Sequence, residues 1–194
     1  TGILTLDSSD LHANTVTLTG GTTTFDAGTI GSNNYSGVTL ASGTLELNVG
    51  TLDISGQGSD DIAAVTTVVV DAGKTFTFNA DQSSDTLAFT AGNTSSIIIV
   101  ESTLNDAQND FSGFTKTSGG TLTYSVITAI DKTGGAADIL GVIDTVNISS
   151  SLTLDSNQVK STLTSLTGSG ILNVQTVSNT TDLSNISNAT YSGT

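Results

Sequence analysis

Hydrophobic and polar residues alternate with a period of two along much of this 194-residue chain. Clear examples are residues 74–78 (KTFTF), 120–124 (GTLTY) and 151–154 (SLTL). Successive side chains of a strand point to opposite faces, so this alternation predicts short β-strands with one buried face.

The spacing of these segments is closest in residues 15–56. Predicted strands at 15–18, 22–25, 38–40, 44–47 and 51–54 are separated by glycine corners at Gly20-Gly21, Gly28, Gly31, Gly37, Gly43, Gly50 and Gly56. A spacing of roughly 6–8 residues is too short for sandwich strands with their loops. It is typical of a β-solenoid, in which the chain turns a corner and lays each coil on the previous one.

The chain also repeats itself over a longer distance. The segment 4–8 (LTLDS) recurs at 152–156, and 18–20 (LTG) recurs at 166–168 with the same spacing. A looser copy covers residues 76–92. Such self-similarity indicates stacked units, each of which buries its apolar face against its neighbours.

A second signature is Asp followed by an apolar residue and, three positions later, another apolar residue. It begins at Asp61, Asp110, Asp138 and Asp182. We expect a single tight turn, of 3₁₀ type, in which Asp caps backbone N–H groups and both apolar residues face the core. The irregular spacing of the four copies predicts insertions or a change of coil near 126–137.

These patterns predict an all-β fold, a β-solenoid of the parallel β-helix type, with right-handed winding as the default for parallel crossovers. Tandem β-sandwich modules are the alternative. We expect one solenoid segment over residues 1–125 and further repeats of the same type over 126–194. The stretch 132–137 (KTGGAA) is the expected break between them.

Composition supports this prediction. Aromatic residues are 5% of the chain, Trp is absent, and 21 Gly accompany no Pro. The core must therefore consist of Val, Ile, Leu, Thr and a few Phe, which suit a pleated surface. The absence of Pro fits continuous hydrogen-bonded strands. Because Met is also absent, we expect a processed product or a piece of a larger protein.

Charge and cysteine content exclude several classes of function. The net charge of −14 repels nucleic acid and anionic membranes, so we expect no nucleic-acid partner. Without Cys there are no disulfides and no thiolate metal sites. The longest apolar stretches, such as 97–100, are strand-length, so membrane insertion is not expected.

Paired acidic residues are the candidate metal ligands, with calcium as the expected cofactor. The predicted calcium ligands are Asp60 with Asp61 and Asp106 with Asp110. Asp7 with Asp10 and Asp81 with Asp85 are further acidic pairs. Carboxylates and backbone carbonyls are ligands that Ca²⁺ prefers. The alternative is that each Asp caps its own turn. Two adjacent carboxylates repel unless neutralised, which favours Asp60 and Asp61.

The chain offers no catalytic constellation, and we expect it not to be an enzyme. His12 is the only histidine and follows no nucleophile motif. A glycosidase would need two convergent carboxylates beside sugar-binding aromatics. The three tyrosines, Tyr35, Tyr124 and Tyr191, are too few and too scattered for that.

The motifs at 182–186 (DLSNI), 152–158 (LTLDSNQ), 4–10 (LTLDSSD) and 166–170 (LTGSG) resemble degenerate repeats of large secreted Gram-negative surface proteins, including S-layer proteins and giant adhesins. Residues 15–125 also resemble autotransporter passenger β-helices. The resemblance implies an exported, extracellular β-solenoid at the cell surface that forms a lattice or filament, often with calcium. The calcium-binding Gly-Gly-x-Gly-x-Asp nonapeptide of many such proteins is missing after both Gly119-Gly120 and Gly134-Gly135.

Together these observations predict a structural module of a bacterial surface layer or extracellular filament. Its main partner would be other copies of itself, and a cell-surface glycan is a further candidate. The alternative is the stalk or ligand-binding region of a secreted adhesin or autotransporter passenger.

Overall fold

The computed structural model describes residues 3–6, 16–25, 38–47, 51–56, 62, 65–83, 86–102, 109–159, 165–175 and 190–191. Strands make up most of this part of the chain, and every pair of them is parallel. In chain order the strands are β1 (Ile3–Leu6), β2 (Val16–Phe25), β3 (Val38–Leu47), β4 (Thr51–Asp53), β5 (Val65–Val70), β6 (Thr75–Asn79), β7 (Ala88–Ala91), β8 (Ser96–Glu101), β9 (Thr115–Thr117), β10 (Thr121–Val126), β11 (Ala129–Asp131), β12 (Thr145–Ile148), β13 (Ser151–Asp155), β14 (Ser165–Gly168), β15 (Ile171–Gln175) and β16 (Thr190–Tyr191).

The strands form three parallel sheets that share one core. Sheet 1 has the order β1-β2-β3-β5-β7-β9, sheet 2 the order β16-β14-β12-β10-β8-β6-β4, and sheet 3 the order β11-β13-β15. Strands β1, β2 and β3 follow one another in sheet 1, and from β3 onward the chain alternates between sheet 2 and either sheet 1 or sheet 3. The predicted all-β solenoid is confirmed. The antiparallel pairing of a β-sandwich does not occur among the described strands, and the handedness stays a prediction.

Alternation along the strands becomes columns of side chains inside the solenoid. In sheet 2 the register aligns Leu52, Phe76, Ile97 and Leu122, and all four are buried. Burial of one such side chain contributes about 1.5–3 kcal/mol. The column passes through four successive strands of sheet 2, so each of these rungs rests on the one before it.

Aromatic rings form a second continuous path through this core. Consecutive ring centroids lie 5.0–6.2 Å apart along the series Phe76, Phe78, Phe89, Phe114, Phe111 and Tyr124. Offset and edge-to-face contacts at such distances stabilise a core beyond the area they bury. These six rings thus connect strands of sheet 2 with residues in, or just before, strands of sheet 1.

Two predicted glycine corners are wrong. Strand β2 runs straight through Gly20-Gly21, and β3 runs through Gly43. The strand register shifts next to these glycines, and Gly43 has a φ of 114°. Glycine accepts such a backbone conformation, so it accommodates an irregularity within a strand without ending it.

The apolar pairs at the predicted tight turns face the core at two of the described copies. Val65 donates a backbone hydrogen bond to the carbonyl of Ile62 at 2.9 Å, and Phe114 donates to Phe111 at 3.0 Å. All four side chains are buried. Each turn thus places an apolar pair into the core directly before a strand of sheet 1. The copy at Asp182 lies outside the described residues.

At Asp138 the prediction is wrong by one residue. The equivalent turn joins Leu140 and Ile143, with a hydrogen bond of 3.0 Å, and both side chains are buried. Of the two predicted core residues, Ile139 is buried, whereas Val142 is only partly buried against the core. The preceding Gly141 N–H donates to the carbonyl of Asp138, which tightens the chain and moves the apolar pair along by one position.

The cross-section of the solenoid changes along the chain. Sheet 1 ends at β9 and sheet 3 begins at β11, while sheet 2 continues through both parts. The predicted division into residues 1–125 and 126–194 stays a prediction. The two LTLDS copies do not occupy equivalent positions, because Leu4 lies in sheet 1 and Leu152 in sheet 3. The repeated sequence is therefore a general strand-forming pattern, found here in two different sheets.

Helical structure plays a small part. A short 3₁₀ helix (Ala80–Gln82) follows β6, capped by the side chain of Asn79. Within the described ranges, the chain forms no helix of the length and hydropathy needed to cross a bilayer.

Candidate functional site

The predicted calcium ligands lie mostly outside the described part of the chain. Asp60, Asp61 and Asp106 lie outside the described residues, and His12, which is not a predicted ligand, does too. Asp110 is described, and its carboxylate accepts a 2.8 Å hydrogen bond from the backbone N–H of Ser112. That contact caps the turn. Among the described residues no group of three or more His, Cys, Asp or Glu could hold a metal. The calcium site stays a prediction.

The polar groups that the fold does bring together lie inside the core, around Glu101. Strand β8 alternates inward-facing Ile97 and Ile99 with outward positions, and Glu101 follows in the same phase. The register places Glu101 beside Val126, an inward residue of β10. Its side chain is completely buried, so a carboxyl group occupies a column position that neighbouring coils fill with apolar residues.

Lys132 reaches the same interior from the next coil. It follows inward-facing Ile130 by two residues, and its backbone N–H donates to the carbonyl of Thr153 at 2.9 Å, which continues the pairing of β11 with β13. Residues two apart along a strand share a face. The Lys132 side chain therefore points inward, where only 1% of it is exposed.

Several donors converge on one oxygen of this buried carboxylate. Oε2 of Glu101 lies 3.5 Å from Nζ of Lys132, 3.1 Å from Nδ2 of Asn109 and 3.3 Å from Oη of Tyr124. Nδ2 of Asn109 also donates to Oδ1 of Asp81 at 2.9 Å. Lys132 donates to the backbone carbonyl of Asn109 at 3.1 Å. We call these five residues the buried cluster; Glu101, Lys132 and Tyr124 are buried, and Asn109 and Asp81 at its edge are half-buried.

The surroundings of the buried cluster are aromatic. Nζ of Lys132 lies 5.9 Å from the centre of the Phe111 ring, and that ring packs edge-on against Tyr124 at 5.0 Å. Removing two charges from water is costly, and a buried ion pair is retained only with good geometry and additional hydrogen bonds. The cluster supplies those bonds, and removal of either charged partner would leave an uncompensated charge in the core.

Two buried glutamines form a second recurring polar feature, which we call the glutamine corners. Oε1 of Gln82 accepts from the backbone N–H of Asn79 at 2.7 Å, and Nε2 donates to the carbonyl of Ile54 at 2.8 Å. Oε1 of Gln158 accepts from Asp155 at 2.8 Å, and Nε2 donates to the carbonyl of Lys132 at 2.7 Å. In each corner the amide oxygen of the glutamine closes a local turn, and the amide nitrogen forms a hydrogen bond to a backbone carbonyl of the preceding coil.

Sequence reasoning missed both features, although signals for them existed. Glu101 and Lys132 continue the apolar alternation of their strands in the inward phase, which marks them as core positions. The glutamine corners share the pattern Asn/Asp-x-x-Gln, which also occurs at 105–108, outside the described residues. Three of the five glutamines of the chain lie in this pattern. The partner of each group lies in another coil, so a local pattern cannot identify it.

Surface electrostatics add two smaller contacts. Lys116 forms an ion pair with Asp144, whose carboxylate also accepts from the backbone N–H of Leu122 at 2.8 Å. At the corner after β11, the carboxylate of Asp131 accepts hydrogen bonds from the backbone N–H and from the hydroxyl of Thr133. These two bonds, the backbone one more strongly, hold the pKa of Asp131 below its ordinary value of 3.8. Both contacts fix corners of the coil.

Comparison with known proteins returned no match among protein-family models, curated proteins or solved structures.

Proposed function

We propose that this chain is a structural module of a bacterial cell-surface layer or extracellular filament, located outside the cell and assembling with copies of itself. The observation that supports this proposal is the uninterrupted parallel ladder of sheet 2, which passes through seven strands. At the usual strand spacing its six intervals span about 29 Å. Such a ladder makes a stiff rod, which suits a load-bearing element.

The ends of this rod provide a means of association. Strand β1 is one edge of sheet 1 and β16 is one edge of sheet 2, and each pairs with one neighbouring strand among the described residues. Edge strands present backbone N–H and C=O groups to which another strand can add. Addition at the ends would extend the rod, and lateral contacts would give a lattice.

The described aromatic residues favour a structural role over a glycan-binding one. The Phe and Tyr side chains described between residues 43 and 175 are all buried, each with 3% exposure or less. Sugar recognition by a stalk or adhesin uses exposed aromatic surfaces that the ligand can reach. The stalk of an adhesin or autotransporter passenger shares the rod shape and is the second candidate.

Self-association of the full chain tests the proposal. The net charge of −14 makes copies repel each other, so we expect association to increase with salt and, more strongly, with calcium, which can bridge carboxylates. Sedimentation and electron microscopy over a wide concentration range should show rods or sheets. Magnesium at equal ionic strength is the control for screening alone. Monomers at every concentration, with calcium present, would contradict the proposal.

Edge-strand variants identify the contact. Proline removes a backbone N–H donor, and consecutive N–H groups point to opposite sides of a strand, so one of residues 4 and 5 directs its N–H to the free edge. We therefore expect either Leu4→Pro or Thr5→Pro to reduce end-to-end association. The central coils should keep their unfolding midpoint, since each coil of a solenoid contacts only its neighbours. Association unchanged in both variants would exclude β1 as a contact.

A further inference from the structure

In the buried cluster, an amine and a carboxamide both contact one oxygen atom of a carboxyl group. Nζ of Lys132 and Nδ2 of Asn109 both contact Oε2 of Glu101, at 3.5 Å and 3.1 Å. We propose that Lys132 and Asn109 join in an intramolecular amide bond, with Glu101 transferring the proton. This covalent link goes beyond the proposed assembly function and does not depend on it.

The amine must be neutral before it can attack. A nucleophilic lysine is activated when its surroundings disfavour the ammonium form. Lys132 and Glu101 are 1% and 0% exposed, and burial disfavours the charged form of both groups. Transfer of one proton from Nζ to Oε2 converts the ion pair into a neutral amine beside a neutral acid.

The position of Oε2 suits both proton transfers. The neutral Nζ attacks Cγ of Asn109 and forms the new C–N bond. The protonated Glu101 gives its proton to Nδ2, which it already contacts, and the Cγ–Nδ2 bond breaks with release of ammonia. The Glu101 carboxylate then accepts the proton that Nζ loses. The products are a secondary amide and one ammonia molecule, so the step needs no oxidant, metal or cofactor.

The surrounding side chains position the reacting groups. Asp81 accepts a hydrogen bond from Nδ2 at 2.9 Å and so orients the carboxamide of Asn109. The backbone carbonyl of Asn109 accepts from Nζ at 3.1 Å, which holds the amine beside the residue it attacks. Such positioning accounts for much of the rate of intramolecular reactions.

The bond would connect successive coils. Asn109 and Lys132 lie 23 residues apart, with strands β9, β10 and β11 between them. Closing this loop covalently restricts the unfolded chain, as a disulfide does. In a protein with no Cys it would keep coils together under load.

Mass spectrometry of the full chain tests the proposal directly. We expect the intact mass, fresh or after prolonged incubation, to be lower than that of the sequence by one ammonia molecule. The four basic residues are Lys74, Lys116, Lys132 and Lys160. A modified Lys132 resists trypsin, so digestion should give peptide 75–116 joined to peptide 117–160, with fragment ions that place the link at Asn109.

Variants separate the chemistry from stability. Glu101→Gln, Lys132→Met and Asn109→Ala should each give the full sequence mass, with folding checked by circular dichroism. Lys116→Met removes a half-buried lysine outside the cluster and should keep the ammonia loss. The linked protein should also melt at a higher temperature than Asn109→Ala.

Three results would overturn the proposal. An unchanged intact mass of the wild-type chain means that the cluster is an ion pair only. Loss of ammonia without the joined peptide indicates cyclisation of an asparagine elsewhere. Loss of water with a joined peptide places the bond on a carboxylate, Glu101 or Asp81, and not on Asn109. Each of these outcomes is measured on the wild-type chain, so the test remains decisive even if a variant fails to fold.

Discussion

Replacing Gln82 by Met tests whether side-chain amides hold the corners of this solenoid together. Met has nearly the same length, so packing is largely kept while both hydrogen bonds are lost. The backbone N–H of Asn79 loses an acceptor at 2.7 Å, and the carbonyl of Ile54 loses a donor at 2.8 Å. Each buried group left unsatisfied costs about 1–3 kcal/mol, so we expect the free energy of unfolding to fall by about 2–6 kcal/mol.

Denaturant unfolding followed by circular dichroism measures this loss. A lower midpoint at constant slope means lower stability of the same folded state. Gln175→Met is the matched control, because Gln175 is exposed on β15 and its replacement should change stability by no more than about 0.5 kcal/mol. Parts of a stacked array can unfold separately, so hydrogen exchange at Asn79 and Ile62 provides a local measurement.

The second glutamine corner checks the same reasoning at an independent position. Gln158→Met should cost about as much as Gln82→Met, because it loses an equivalent pair of bonds, at 2.8 Å and 2.7 Å. The two losses should add within about 0.5 kcal/mol if the corners act separately. A Gln82→Met protein as stable as the Gln175→Met control would refute the structural role of the buried amides.

Further predictions concern glycine positions, pH and calcium. Gly141→Ala should cost more than about 3 kcal/mol in chemical unfolding, because a Cβ there would lie 1.8 Å from the Phe111 carbonyl oxygen and φ is +47°; Gly56→Ala, with nothing within 4 Å of its Cβ, is the control. The folded pKa of Asp131 is depressed, so its contribution to stability is present above the unfolded value and lost as pH falls through the folded pKa. Nuclear magnetic resonance titration should place its midpoint below 3.8, and Thr133→Val should raise it; a midpoint at 3.8 in the native protein would contradict this. If the acidic pairs bind calcium, a chelator should lower the melting temperature and calcium should restore it, whereas an unchanged melt would exclude a stabilising site.

The amino-acid sequence by itself determined the local structure of most described coils. Alternation of apolar and polar residues predicted strands such as β6, β10 and β13, and the phase of the alternation predicted which side chains face inward. The apolar pairs Ile62 with Val65 and Phe111 with Phe114 were also predicted as core contacts. These properties depend on residues two or three apart, so the chain specifies them before any coil is stacked.

Tertiary structure decided which strands meet and which polar groups share the core. The LTLDS copies are alike in sequence but lie in different sheets, because β1 pairs with β2 in sheet 1 whereas β13 pairs with β11 and β15 in sheet 3. Coil length varies: one coil leads from Ile3 to its partner Thr22, another from Ala88 to Thr115. Glu101 and Lys132 meet only because successive coils stack in one register. The strength of their contact depends on burial in an interior that both coils build, and no single segment contains that interior.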